Sequence, residues 1–393
     1  MNPNDLIAKR MATVPKSGIR KFFDIVAEMK DAISLGVGEP DFVTPWNIRQ
    51  AGMRSLEKGM TGYTSNWGTL ELRREIARYL EGRFGLTYDP ADQILVTIGA
   101  SEAIDLALRA LLDPGDEVLI PDPGYVSYAP GVVFANAVPV SIPMSADNGF
   151  KLTPELILPR ITQRTKALIL PFPSNPTGGI MDRQSLEALA GALEGTNIAV
   201  ISDEIYAELT YSGKHVSIAQ LPSMYERTIV INGFSKAFAM TGWRLGYLCG
   251  HRDLVAAMCK IHQYSILCAS TMAQAAGVEA LKQGRATDYA DVKRMHDAYD
   301  LRRRVVVNGF NDMGLPCYEP EGAFYAFPSI KGTGLSSDEF CERLLREKKV
   351  AAVPGSAFGA QGEGFIRCSY ATSMEQLKEA LRRIEDFVAP LLK

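Results

Sequence analysis

The chain has 393 residues, of which 47% are hydrophobic and 22% are charged, and its formal net charge is −3. This length predicts two or three domains with a large core, and the balanced charge argues against binding to nucleic acid or to an anionic membrane surface. No run of 18 apolar residues predicts a membrane-spanning helix.

The N-terminal residues and the cysteine spacing indicate the cellular compartment. Residues 1–11 lack the apolar core of a signal peptide, and the six cysteines show no C-x-x-C spacing. We therefore expect a cytoplasmic protein with reduced thiols, without a disulfide framework and without a metal site.

The first elements predict a helix and two loops. Residues 15–30 have the pattern of an amphipathic helix, and residues 33–41 contain Gly36, Gly38 and a proline, which let the backbone approach a ligand closely. Residues 61–67 form a polar, aromatic loop that contains Tyr63. By itself, the segment 33–41 could equally be an ordinary exit from a strand, and Tyr63 could be a packing residue or a surface hydroxyl.

From residue 92 onward, strands alternate with helices, which predicts an α/β domain with a mainly parallel sheet. A helix from Gly99 to about Leu112 follows the first strand, and the free N–H groups around Ala100 and Ser101 would suit a phosphate, although a plain Ser-capped helix is an alternative. The strands are predicted at 93–98, 117–121, 167–171, 198–202 and 228–231.

Chemically useful residues follow several of these strands. Asp203 ends one strand, where open α/β sheets bind ligands, although it could instead cap a helix. Lys236 lies in the loop after residues 228–231 among apolar and aromatic neighbours, which favours a neutral, nucleophilic amine suited to a Schiff base. Arg244, eight residues later, could clamp a phosphate.

The C-terminal third predicts a second, smaller unit. Residues 252–314 are mostly helical, a smaller sheet begins within 315–330, and a strand is expected at 350–354. Arg367 lies on a later strand, where its planar fork could bind a carboxylate, although an arginine on a strand is more often a solvated edge residue.

The loop around Lys236 resembles a known signature. Ser235-Lys236 followed by Met240-Thr241-Gly242-Trp243-Arg244-Leu245-Gly246-Tyr247 is similar to the pyridoxal phosphate (PLP) lysine signature of class I aminotransferases of fold type I. The resemblance covers nearly the whole chain and is strongest to bacterial aspartate, aromatic and N-acetyl-diaminopimelate aminotransferases. It implies an N-terminal arm and part of the small domain at 1–44, a large PLP-binding domain at 45–288 and a small α+β domain at 289–393.

The resemblance also implies a role for each site residue. Lys236 would form an aldimine with PLP and transfer protons, while Gly38, Asn175 and Arg367 would bind substrate. Tyr63 would reach the cofactor phosphate of the other subunit of a homodimer with shared active sites. The expected cofactor-binding residues are Ala100, Ser101, Tyr125, Asn175, Asp203, Tyr206, Ser235, Arg244 and Tyr63.

The function implied is a ping-pong transfer of an amino group between an L-amino acid and a 2-oxo acid. The alternatives are a C–S β-lyase on the same fold and a non-catalytic regulatory relative. Two departures from the family pattern matter: Gly233 replaces a serine or threonine that contacts the phosphate in many relatives, and Ser101 replaces a cation found in some aspartate-specific ones. Arg20 is a possible substitute for that cation.

Overall fold

The computed structural model describes residues 1–14 and 31–392. The helix predicted at 15–30 and Arg20 lie outside the described residues. The α-helices are α1 (Trp46–Glu57), α2 (Leu70–Phe84), α3 (Gly99–Leu111), α4 (Tyr128–Phe134), α5 (Pro154–Ile157), α6 (Arg183–Ala192), α7 (Arg252–Ser265), α8 (Thr271–Ala286), α9 (Ala290–Asp312), α10 (Ser337–Lys348) and α11 (Met374–Val388).

The strands form three sheets. They are β1 (Ile33–Ser34), β2 (Ile94–Thr97), β3 (Glu117–Asp122), β4 (Val138–Pro143), β5 (Thr165–Leu170), β6 (Ala199–Asp203), β7 (Thr228–Gly233), β8 (Gly246–Cys249), β9 (Tyr325–Ala326), β10 (Val350–Ala351), β11 (Val353–Pro354) and β12 (Ile366–Ser369). The largest sheet has seven strands in the order β2-β8-β7-β6-β5-β3-β4. Its strands β4, β3, β5, β6 and β7 are parallel, whereas β8 runs antiparallel to both of its neighbours. The predicted α/β fold with a mainly parallel sheet is confirmed.

The apolar run in β7 shows why this sheet is buried on both faces. Ile229 and Ile231 pack in a cluster with residues of α3 and α7, whereas Val230 packs on the opposite face with residues of α2 and α8. Successive side chains of a strand point to opposite faces, so a strand covered by helices on both sides is apolar throughout. Helices on the two faces therefore hold the sheet in place.

Local signals define the helix ends. Thr69 caps α2 by accepting a hydrogen bond from the backbone N–H of Leu72, and Gly85 ends that helix at φ +62°. Ser373 caps α11 in the same way, and this helix buries one apolar stripe from Leu377 to Val388.

The two smaller sheets lie beside α9, α10 and α11. One is the antiparallel set β11-β12-β9, and the other is the parallel pair β1-β10. The strand predicted at 350–354 is instead two short strands in different sheets, because Val350 pairs with Ile33 while Val353 pairs with Arg367. Within residues 315–330 only Tyr325–Ala326 forms a strand. In the described ranges, no helix has the length and apolar character needed to cross a membrane.

Candidate active site

The predicted site residues converge on one edge of the seven-stranded sheet. The carboxyl ends of β3, β5, β6 and β7 meet there because these strands are parallel, and β8 begins there because it is antiparallel. A cavity of about 630 Å³ opens at this edge. All the predicted site residues except Tyr63 line it: Gly38, Ala100, Ser101, Tyr125, Asn175, Asp203, Tyr206, Ser235, Lys236, Arg244 and Arg367.

Lys236 lies in the cavity wall as a poorly solvated amine. Its Nζ donates a hydrogen bond of 2.6 Å to the carbonyl oxygen of Gly38. The same atom lies 5.7 Å from the ring centroids of Tyr206 and Phe324. Burial lowers the pKa of Lys236 to about 8, against the opposing attraction of the Glu39 carboxylate. A larger fraction of this amine than of an ordinary lysine is therefore neutral near pH 7, and the neutral amine is the form that attacks a carbonyl.

Asp203 provides a buried carboxylate at the end of β6. Its Oδ2 accepts a hydrogen bond of 2.8 Å from the hydroxyl of Tyr128, and its Oδ1 accepts one of 3.3 Å from the backbone N–H of Ile205. Burial raises the pKa of Asp203, and the hydrogen bond from Tyr128 opposes that rise. No α-helix follows Asp203 directly, so the alternative of a helix-capping aspartate is wrong. Among the described residues no salt bridge neutralises this carboxylate.

Arg367 is the corresponding buried cation. It lies on β12 and is 2% exposed, so the alternative of a solvated edge arginine is wrong. Its Nη1 donates to Oδ1 of Asn175 over 2.9 Å and its Nη2 to the carbonyl of Gly36 over 2.6 Å. Within the described part of the chain, its buried Nε has no partner. A guanidinium held by neutral oxygens is free to bind a carboxylate ligand.

The N-terminus of α3 forms the third charged region of the cavity. The N-cap residue Ile98 makes no side-chain cap, so the alternative of a plain Ser-capped helix is wrong. Gly99 has φ +73°, and a Cβ there would lie 2.7 Å from the Arg244 guanidinium. The glycine thus lets Arg244 approach the helix N-terminus. Arg244 itself has φ +50°, a strained value for a residue with a side chain. Free N–H groups, the helix dipole and this cation together suit a phosphate.

Two tyrosines of the site were missed in the sequence. Tyr128 lies at the start of α4, three residues after Tyr125. This spacing could have suggested that the two tyrosines face the same cavity. Tyr325 had no local signal: its hydroxyl lies 2.8 Å from that of Tyr206, and its ring centroid lies 4.5 Å from the Arg367 guanidinium. Both line the cavity.

Two further predictions concern positions outside this cavity. Tyr63 is 85% exposed and does not line it. At Gly233, a Cβ would lie 3.0 Å from both the Cα of Gly246 and the carbonyl oxygen of Leu245. The close approach of β8 therefore explains why a small residue stands there.

The chain is similar to known proteins in both sequence and fold. Residues 30–384 match the family model described as aminotransferase class I and II. The chain is 47% identical to an aspartate aminotransferase of Pyrococcus abyssi, with 96% of this chain and 97% of that protein covered. It is 44% identical to aromatic-amino-acid aminotransferase 2 of Thermococcus litoralis, with 96% and 97% covered.

A solved structure gives the same result for the fold. The structure of aspartate aminotransferase from Thermus thermophilus with maleate superposes with a TM-score of 0.92 at 37% identity. The match covers 97% of this chain and 99% of that one. These relatives are named as aminotransferases, and none of their names supports the lyase alternative.

Proposed function

The chain belongs to the aminotransferase class I and II family, and from that premise we propose that its cleft transfers an amino group between an L-amino acid and a 2-oxo acid with PLP as cofactor. The observation that carries the proposal is that Lys236, an amine with a pKa of about 8, shares one cavity with Asp203 and Arg367, two buried charged groups that have no salt-bridge partner among the described residues.

The residues of the cavity fit PLP. The Asp203 carboxylate lacks a cation among the described residues and would hold a protonated ring nitrogen, which improves the ring as an electron sink. The N-terminus of α3, Ser235 and Arg244 would hold the phosphate. Tyr125 would cover the ring face, and Asn175 and Tyr206 would contact the ring oxygen. When bound, PLP supplies the electron sink that stabilises a carbanion at the substrate α-carbon.

The remaining residues would orient substrate and move protons. Arg367, braced by Asn175 and Gly36, would bind the α-carboxylate with its fork and so fix which bond to the α-carbon is broken. Lys236 Nζ would remove the proton from the α-carbon and later return a proton to the cofactor carbon. Donor and acceptor would use the same site in turn, which is a ping-pong mechanism.

We also propose that two copies of the chain form a dimer with shared sites. Helix α1 and the following loop expose large apolar side chains, including Trp46, Leu56 and Tyr63, and Tyr264 at the end of α7 is 88% exposed. The loop of Tyr63 is joined to residues after α7 because Asn66 Nδ2 donates to the Leu267 carbonyl over 2.8 Å. A second copy would cover this apolar surface and bring Tyr63 to the partner's phosphate site.

The half-reactions test the function directly. Purified protein with PLP should show a visible absorption band that one set of amino acids removes and a 2-oxo acid restores, with no second substrate present. A Lys236→Ala variant should lose this response, whereas Lys260→Ala, a change on α7, should keep it. Release of pyruvate and ammonia from a thioether amino acid without an acceptor would favour a lyase, and a protein that never binds PLP would exclude the proposal.

A further inference from the structure

Glu204, the residue after Asp203, belongs to a buried polar network that the proposed chemistry does not use. It is 1% exposed. Its Oε1 accepts hydrogen bonds from the hydroxyls of Ser202 over 2.8 Å and Ser217 over 2.6 Å, and its Oε2 lies 2.9 Å from Nε2 of His215. The contact between Glu204 Oε2 and His215 Nε2 needs a proton on one of the two atoms, and a neutral imidazole can supply it from Nε2.

The side chains of this network face away from the active-site cavity, and most of them line a second one. Glu204 and His215 line a separate cavity of about 240 Å³, and of the described residues only Pro173 lines both cavities. A buried carboxylate is costly, and an apolar side chain of similar volume often serves stability as well or better. Stability alone is therefore a weak reason for four polar groups at this position.

The network closes a loop that carries active-site residues. After β6 the chain leaves the sheet, passes through Ile205 and Tyr206 in the cavity wall, and returns at His215 and Ser217 to bind the Glu204 carboxylate. The ring of Phe84 packs edge-on against His215 at 5.7 Å between centroids and holds it in place. Both ends of the loop are thus tied to one side chain.

We propose that Glu204 is a positioning residue: by joining Ser202 to the returning His215 and Ser217, it fixes the Asp203 carboxylate and the Tyr206 hydroxyl where the cofactor ring binds. The proposal rests on the proposed function, because it assigns Asp203 and Tyr206 to that ring. Glu204 does not line the active-site cavity, so it would act only through its neighbours.

A Glu204→Gln substitution tests this role against a matched control. Glutamine keeps the size but places an amide donor against the His215 or serine donors. Glu117→Gln is the control, because Glu117 is also a buried strand carboxylate, 4% exposed, that accepts from Thr162 Oγ1 over 2.6 Å and pairs with Arg164. It lies at the start of β3, at the opposite edge of the parallel strands. Both variants should lower the melting temperature of the cofactor-free protein.

Only the Glu204 variant should weaken PLP binding, by about tenfold in Kd, which is the effect expected when a hydrogen bond to a charged group is lost. A Kd within about twofold of wild type, with a lowered melting temperature, would overturn the proposal and leave Glu204 a structural residue. If E204Q does not fold, His215→Phe should raise the PLP Kd in the same way. His215→Gln, which keeps a hydrogen-bond donor, should have a Kd close to that of wild type. Unchanged affinity in H215F would also overturn the proposal.

Hydrogen exchange of the cofactor-free protein separates this proposal from the proposed function. Backbone amides of 203–207 should exchange faster in E204Q than in E117Q. If wild type fails to bind PLP, the proposed function fails, yet the exchange rates still decide whether Glu204 orders the end of β6. Equal rates in the two variants would overturn the positioning role.

Discussion

The hydroxyl of Tyr128 donates a hydrogen bond of 2.8 Å to Oδ2 of Asp203, and both side chains are buried. This contact opposes the rise in the Asp203 pKa that burial causes, so it favours the ionised carboxylate. It links a residue at the start of α4 to the end of β6, 75 positions further along the chain.

Tyr128→Phe should raise the pKa of Asp203 further and weaken PLP binding. A hydrogen bond to a charged group contributes about 1.5–3 kcal/mol, so the PLP Kd should rise by about tenfold or more. The loss of PLP affinity should be greater at low pH, because Asp203 of the variant becomes protonated at a higher pH than Asp203 of wild type. Fluorescence titration of PLP across pH measures it.

Tyr88→Phe is the control for that substitution. Tyr88 is also buried, and within the described residues its hydroxyl has no hydrogen-bond partner. Its loss should leave PLP affinity unchanged. Equal affinities in Y128F and Y88F would contradict the role given to Tyr128.

Lys236 should make the cofactor-free protein more stable as the pH rises from about 8 to 10.5. Its pKa falls from 10.5 to about 8 on folding, so between these values the unfolded chain binds more protons than the folded one. Wild type should therefore gain up to about 3 kcal/mol over Lys236→Met as pH rises through this window. Denaturant unfolding of both proteins at pH values below 8 and above 10.5 measures it. A constant difference between them would contradict the lowered pKa.

Arg367→Lys should reduce kcat/KM about 10- to 100-fold, because a lysine cannot reproduce the bidentate fork toward a carboxylate. Arg303→Lys is the control: Arg303 is buried and paired with Asp300 and Glu319, and it does not line the cavity. Steady-state kinetics should show the loss only for R367K. Similar losses in both variants would point to a general effect on folding.

Shared sites should allow two defective chains to complement each other. In a mixed dimer of Lys236→Ala and Tyr63→Ala chains, one site would combine an intact Lys236 with an intact Tyr63. Activity should therefore appear on mixing and subunit exchange, although each variant alone is weak or inactive. If Tyr63 served its own chain, no mixed site would be intact and mixing would restore nothing.

Arg20→Ala should lower kcat/KM for aspartate relative to a neutral donor. Among the described residues that line the cavity, the cations are Lys236, Arg244 and Arg367, and all three already have proposed partners. A side-chain carboxylate would need another cation, and Arg20 is the candidate from the sequence. An unchanged ratio of the two donors would remove this assignment.

Much of the site could be predicted from the sequence because strand ends are local features. The alternation of strands and helices predicts a parallel sheet, and the carboxyl ends of its strands must meet at one edge. This places Asp203, Asn175 and the Lys236 loop together without further information. The motif around Lys236 then supplied the resemblance from which the individual roles were predicted.

Only the tertiary structure decided which side chains touch. Arg367 meets Gly36 across 331 positions of sequence and Tyr325 meets Tyr206 across 119, and neither distance leaves a local pattern. The direction of Glu204, away from the cavity and into a polar network, likewise depends on the return of the chain at His215. The sequence thus determined the class of fold and the reactive lysine. Long-range packing decided the burial, partners and pKa shifts that make those residues a site, because these depend on neighbours distant in the chain.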